Sequence, residues 1–198
     1  MANQFASFLA ATAQVPQPFF KNDLEIANYA LTLEHLENAF YKQVTGSGRL
    51  SGKALTYLQV VGRHEQEHVD FLTNFIRQAG GTPVAAARGY DFAKLGDLNS
   101  QAGILKVAEM LEQTGVLAYD GVAFEIKDKQ ILAAAGSIVA VEARHTAAIR
   151  TLLTAQQSAT NAGAAVPSGN VDMPVPNAVE KVLRPQEVLA AVGPIIQQ

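Results

Sequence analysis

The chain has 198 residues, a length that suits one domain of ordinary size plus a tail, and 48% of them are hydrophobic against 17% charged. With 15 Lys+Arg against 18 Asp+Glu the formal charge is −3, and no basic run or aromatic-plus-basic cluster occurs, which excludes the electrostatic footprint of nucleic-acid binding. The absence of cysteine excludes disulfides, thiolate zinc sites, iron–sulfur clusters and cysteine nucleophiles, so any metal must be held by oxygen and imidazole nitrogen.

Residues 1–21 read as an N-terminal arm. Its run Phe5–Val15 is mildly apolar and contains Ala11-Thr12-Ala13, but it lacks the charged start and strong apolar centre of an export signal. The expected location is therefore cytoplasmic, the alternative being export with a weak or already removed signal. No apolar stretch reaches the roughly 20 residues that span a bilayer.

Residues 22–157 carry four long segments with apolar positions recurring every three or four residues, and none shows sustained strand-like alternation. The first runs from about Asp23 to Val44, with Asn22 or Asp23 able to cap it and Gly46-Ser47-Gly48 breaking it. The second runs from near Ser51 to about Ala79 and is closed by Gly80-Gly81 with Pro83 beyond. The third spans about Ser100 to Lys127 and the fourth about Lys129 to Gln157. The first and third links are short, which makes two antiparallel hairpins. The middle link, Gly80 to Asn99, is long, contains Pro83, Gly89 and Gly96, and lacks clear periodicity. Short, long, short fits an all-α four-helix bundle with one long crossover. Residues 158–198 read as a linker followed by a proline-rich tail that keeps Val182, Leu183, Val188, Leu189, Val192, Ile195 and Ile196. That many aliphatics predicts docking on the bundle or on a neighbouring subunit, with a short helix near Gln186–Val192.

The buried seams of the helices carry the chemistry. They read Leu24, Ala27, Leu31, Glu34, Asn38, Tyr41; then Ala54, Leu58, Val61, Glu65, His68, Leu72, Phe75; then Leu105, Ala108, Glu112, Gly115, Tyr119, Val122, Ile126; then Ala135, Ile138, Glu142, His145, Ile149, Leu152. Each is apolar at its ends and ionisable in the middle. A carboxylate taken out of water without a partner costs several kcal/mol or stays protonated, and four at one level would repel. A pair of divalent cations relieves both problems. Glu65 and His68, like Glu142 and His145, stand three residues apart, about 60° around a helix and about 4.5 Å along it, so each pair can reach one ion. The alternative is a metal-free core of protonated carboxylates and hydrogen-bonded histidines.

The spacing is internally repeated. Glu34 and Glu65 lie 31 positions apart and Glu112 and Glu142 lie 30 apart, and each single glutamate is followed seven positions later by a tyrosine, Tyr41 or Tyr119. The two hairpins thus look like copies of one Glu-x6-Tyr…Glu-x-x-His unit related by a pseudo-twofold axis. Glu37 rivals Glu34 on the first helix but has no tyrosine at that offset. Glu67 and Glu109 read as solvated flanks, His35 and His64 as surface or subunit-contact residues. Tyr41 and Tyr119 read as core residues hydrogen-bonded to the site, with a redox role as the alternative.

On these residues the sequence resembles the ferritin-like superfamily, whose dinuclear members take one Glu from each of two helices and a Glu-x-x-His from each of the others. His64-Glu65-Gln66-Glu67-His68 resembles a rubrerythrin helix. The segments Leu33–Tyr41 and Leu111–Tyr119, and the ending Pro185–Ala190, look more like the branch of desiccation-related and bacterial ferritin-like proteins. The resemblance implies Glu34 and Glu112 as single ligands, Glu65 and Glu142 as bridging carboxylates, and His68 and His145 as terminal nitrogen ligands. His35 departs from the aromatic expected in that branch, and the lack of cysteine rules out a built-in rubredoxin-type electron-transfer domain. The expected cofactors are two Fe or Mn ions per chain, with dioxygen or peroxide as reactant. The expected function is iron oxidation or peroxide or dioxygen consumption in stress protection, by an oxidoreductase of ferroxidase, peroxidase or catalase-like type. The alternative is a non-enzymatic desiccation or stress protectant with structural or vestigial metals. A homo-oligomer, a dimer by preference, is expected; a 24-subunit storage shell suits the long tail poorly.

Overall fold

The computed structural model describes residues 18–160 and 182–197. Among them are five α-helices: α1 (Asp23–Thr45), α2 (Gly52–Gln78), α3 (Gln101–Val122), α4 (Lys129–Thr160) and α5 (Pro185–Val192). The run Phe5–Val15 and most of the expected linker lie outside the described residues.

Local signals set the helix ends. Asn22 caps α1, its side-chain oxygen accepting the Glu25 N–H at 3.0 Å. At the end of α2, Gly80 takes φ +79°, while Gly81 N–H donates to Ile76 O at 2.8 Å and Gly80 N–H to Arg77 O at 3.0 Å. This is the paired closure that a left-handed glycine permits. Ser100 caps α3 through the Gly103 N–H at 3.1 Å. The expected third helix ran to Lys127, but α3 ends at Val122 and tightens into a 3-10 turn over Ala123–Glu125. Glu125 accepts the Phe20 N–H there at 3.1 Å. The turn into α4 is held from α1: the Asp23 carboxylate accepts the N–H groups of Lys127 and Asp128, while Asp128 accepts the Gln130 N–H at 2.7 Å.

α1 packs chiefly on α2 and α3 chiefly on α4, with α1–α3 contact joining the hairpins. Leu31, Leu36, Phe40, Leu58, Ile104, Leu105 and Ile149 fill the core. The crossover is more structured than its composition implied. Phe92 is buried with its ring 5.3 Å from Phe40 and 5.4 Å from Tyr90. His35 and Asn28 hold the start of the crossover: Nε2 of His35 lies 3.2 Å from Val84 O, and Asn28 Oδ1 accepts the Val84 N–H at 2.7 Å. His35 is thus an internal clasp rather than a surface group.

The C-terminal segment lies along α3. Pro185 opens α5, where its missing N–H costs nothing. Val188, Val192 and Ile195 are buried, and two short strands, β1 (Gly89–Tyr90) and β2 (Ile196–Gln197), pair antiparallel to tie the segment to the crossover. Its approach depends on Gly121, where a Cβ would stand 1.8 Å from the Leu183 carbonyl oxygen.

Candidate metal centre

The four bundle helices deliver their mid-seam ionisable groups to one point. Two four-residue groups form there, Glu34–Glu65–His68–Glu142 and Glu65–Glu112–Glu142–His145, each with potential ligand atoms within 4.8 Å of one another. All six residues singled out from the sequence are present, and Glu65 and Glu142 belong to both groups. Glu34, Glu65, Glu112 and Glu142 are completely enclosed, His145 nearly so, and His68 is 9% exposed.

Each imidazole turns Nδ1 toward three carboxylates. Nδ1 of His68 lies 3.2 Å from Glu34 Oε2, 3.2 Å from Glu65 Oε2 and 3.0 Å from Glu142 Oε1. Nδ1 of His145 lies 3.0 Å from Glu112 Oε2, 3.2 Å from Glu65 Oε1 and 3.5 Å from Glu142 Oε2. One N–H cannot serve three oxygens well. Glu65 Oε1 and both oxygens of Glu142 accordingly receive no well-directed hydrogen bond although they are buried. Such orphaned anionic oxygens are rare in folded proteins and fit a site built for cations. With this carboxylate and imidazole donor set the cluster can hold metal ions.

The tyrosines cross over. Tyr119 donates to Glu34 Oε1 at 2.5 Å, and Tyr41 donates to Glu112 Oε1. Seven residues span about 10 Å of helix, so neither tyrosine can reach the glutamate of its own segment; the antiparallel run of α1 and α3 brings each to the other's. Each single glutamate is therefore fixed by the opposite hairpin.

Without a cation, protons balance the charge. Burial, opposed by the His68 hydrogen bond and reinforced by Glu142 and Glu65, raises Glu34 to about 8. Burial and Glu142 also hold Glu112 well above the carboxylate range. Burial would push Glu142 the same way, but the nearby Nδ1 groups of His145 and His68 outweigh it and hold that carboxyl at about 2. Burial opposes charge on both histidines, yet their carboxylate partners, Glu142 and Glu34 for His68 and Glu112 and Glu142 for His145, push each up to about 12.

Glu37 is also buried, but it belongs to neither group. Burial and then Glu142 and Glu112 push its pKa well up, which favours its protonated form. It has room because α3 carries Gly115 opposite, where a Cβ would stand 3.1 Å from Glu37 Oε1. Glu109 is paired with Arg150 at 2.7 Å rather than free in solvent, while Glu67 is exposed. His64 is not a surface residue either. It is half-buried, its Nδ1 2.9 Å from His145 Nε2, with the two rings nearly parallel (14°), edge to edge, and their centroids 5.2 Å apart. The sequence signal for His64 was its place immediately before Glu65, on the flank of the same seam.

The architecture recurs in known proteins. A conserved hypothetical protein of Mycobacterium tuberculosis superposes with a TM-score of 0.60 at 19% identity, over 66% of this chain and 89% of that one. A hypothetical protein of Methanococcus jannaschii superposes with a TM-score of 0.59 at 13% identity, over 90% of this chain and 96% of that one. At such identities the likeness is one of fold. No curated protein sequence matches the chain. No helix among the described residues is long and apolar enough to cross a membrane. The family of ferritin-like domains matches residues 22–155, most of the chain and all four helices of the bundle's core, so this protein belongs to the ferritin-like domain family.

Proposed function

We propose that the protein binds two iron or manganese ions through Glu34, Glu65, His68, Glu112, Glu142 and His145, and uses them to oxidise iron or consume dioxygen or peroxide in stress protection. The observation that carries this reading is the sharing of Glu65 and Glu142 between two four-residue groups, with three of their buried oxygens lacking a directed hydrogen bond. Two shared carboxylates between two histidines are the arrangement that a bridged pair of cations requires. A leucine core would be the more stable choice if the groups had no such task.

A bound pair of such ions supplies Lewis acidity and exchangeable electrons for cleaving an O–O bond. The chain's part is to prepare the place. The tyrosine hydroxyls fix one oxygen of Glu34 and one of Glu112, leaving the second oxygen of each toward the histidines. The four glutamates are enclosed, and burial beside the cluster favours the protonated form of Glu37.

Elemental analysis of protein purified without added metal, followed by oxygen uptake on adding ferrous iron, tests the proposal. About two Fe or Mn per chain with ferrous-dependent uptake is expected. Near-zero metal with no uptake would overturn it and favour a protectant that acts by binding a partner or a surface. Glu65→Ala combined with His145→Ala should abolish metal binding; retention of two ions would mean that the ligands are misassigned.

A further inference from the structure

We infer that the two cation positions are unequal, and that His64 makes the one at His145 the tighter, so that it fills first. The inference rests on the two-cation reading above and adds an order to it.

The six donor groups are nearly symmetric, with four residues in each group and two in common; what lies behind the imidazoles is not. Nδ1 of His145 faces the carboxylates, so a ring that gives its Nδ1 lone pair to a cation must keep its proton on Nε2. His64 Nδ1 stands 2.9 Å from that nitrogen and can accept the proton. A hydrogen bond from the far nitrogen of a ligating histidine fixes its tautomer, holds the ring in place and makes the ligating nitrogen more basic. The rings are nearly parallel (14°) with centroids 5.2 Å apart, so the two nitrogens meet edge to edge and the hydrogen bond lies in line. Less freedom is then lost when a cation binds.

Among the described residues His68 has no such acceptor behind it. His64 immediately precedes Glu65 on α2; the residue that immediately precedes Glu142 on α4 is Val141, whose side chain can accept nothing. The described contacts of His68 with the carboxylates all run through Nδ1, and the ring edge reaches the surface. Its orientation rests on the carboxylates. His64 touches neither cation position and is a positioning residue.

The test is equilibrium dialysis of the full-length, metal-free protein against manganous ion. Wild type should bind in two resolved steps. His145→Ala should remove the tighter step and His68→Ala the weaker one. His64→Phe, which keeps an aromatic ring but no acceptor, should weaken the tighter step by about 10- to 100-fold and leave the weaker one in place, which also shows that the bundle has folded. His64→Asn, whose Oδ1 replaces Nδ1, should restore most of the loss. The inference is overturned if His64→Phe leaves the tighter step unchanged or weakens both alike, or if His68→Ala removes the tighter step. The two alanine variants rank the positions without touching His64, should the phenylalanine variant unfold. Absence of any manganese binding by wild type would instead sink the two-cation reading itself, and the ranking with it.

Discussion

Glu34→Gln should separate the stability of the metal-free bundle from its capacity for cations. Glu34 is fully enclosed and raised from 4.5 to about 8. Between those values the folded chain keeps a proton that the unfolded chain has released. The stabilising contribution of that proton is therefore complete below pH 4.5 and drains away as pH rises to about 8. At about 1.4 kcal/mol per pH unit the whole interval amounts to on the order of 5 kcal/mol, an upper bound because His68 and the other carboxylates share the charge. Glutamine has nearly the same shape, does not titrate, and can still accept the Tyr119 hydroxyl through its carbonyl oxygen. Its amide would stand about where Glu34 Oε2 is, 3.2 Å from His68 Nδ1, a cost that Glu34 itself does not incur.

The change with pH is therefore the informative quantity, not the absolute stability. In urea unfolding with chelator present, wild type should lose ground to Glu34→Gln by a few kcal/mol between pH 5 and pH 8.5. Manganous ion should reverse the order. A ligand at 100 times its Kd stabilises the folded state by about 2.7 kcal/mol, and the variant, short of one anionic donor, should gain much less. Parallel pH profiles for the two proteins in chelator would refute the claim that Glu34 carries a proton.

Three further outcomes follow from the same geometry. Glu142→Leu removes the carboxylate that faces both imidazoles and should cost about 3–5 kcal/mol in urea unfolding at pH 7, as when one partner of a buried ionic cluster is deleted. Tyr119→Phe and Tyr41→Phe should each cost about 1–3 kcal/mol, because each strands a buried carboxylate oxygen, and their equality in the metal-free protein would reflect the pseudo-twofold relation. Gly121→Ala places a Cβ against the Leu183 carbonyl; it should release the C-terminal segment, seen as faster limited proteolysis after residue 182 with the helix content of the bundle unchanged.

Much of this was legible in the sequence because helical periodicity is strict. Three-residue spacing aims Glu65 with His68, and Glu142 with His145, whatever surrounds them. The repeated interval to Tyr41 and Tyr119 also carried information, but its meaning needed the third dimension: the tyrosines serve each other's glutamates, a pairing that spacing within one helix cannot express. The His64–His145 contact joins residues 81 positions apart and depends on how α2 and α4 are rotated against each other, which no local pattern fixes. The same holds for the tail. Its aliphatics implied docking, but the pairing of Ile196 with Tyr90 is a matter of register between two segments with almost no pattern of their own.

The departures from the duplicated unit are where its two halves divide their labour. Three positions after the single glutamate, the first hairpin has Glu37 and the second has Gly115. Just before the Glu-x-x-His pair, the first has His64 and the second has Val141. In both cases the first hairpin contributes a polar side chain at the pseudo-twofold boundary, and in both that side chain reaches into the second, Glu37 toward Gly115 and His64 to His145. Strict symmetry would fail at the first of these. A Cβ on residue 115 would already stand 3.1 Å from Glu37 Oε1, so a glutamate at both positions would demand one space for two carboxyl groups. A bundle that keeps a fifth buried carboxyl beside its cluster must therefore give up the matching side chain across the axis, and the two hairpins cannot be equal there.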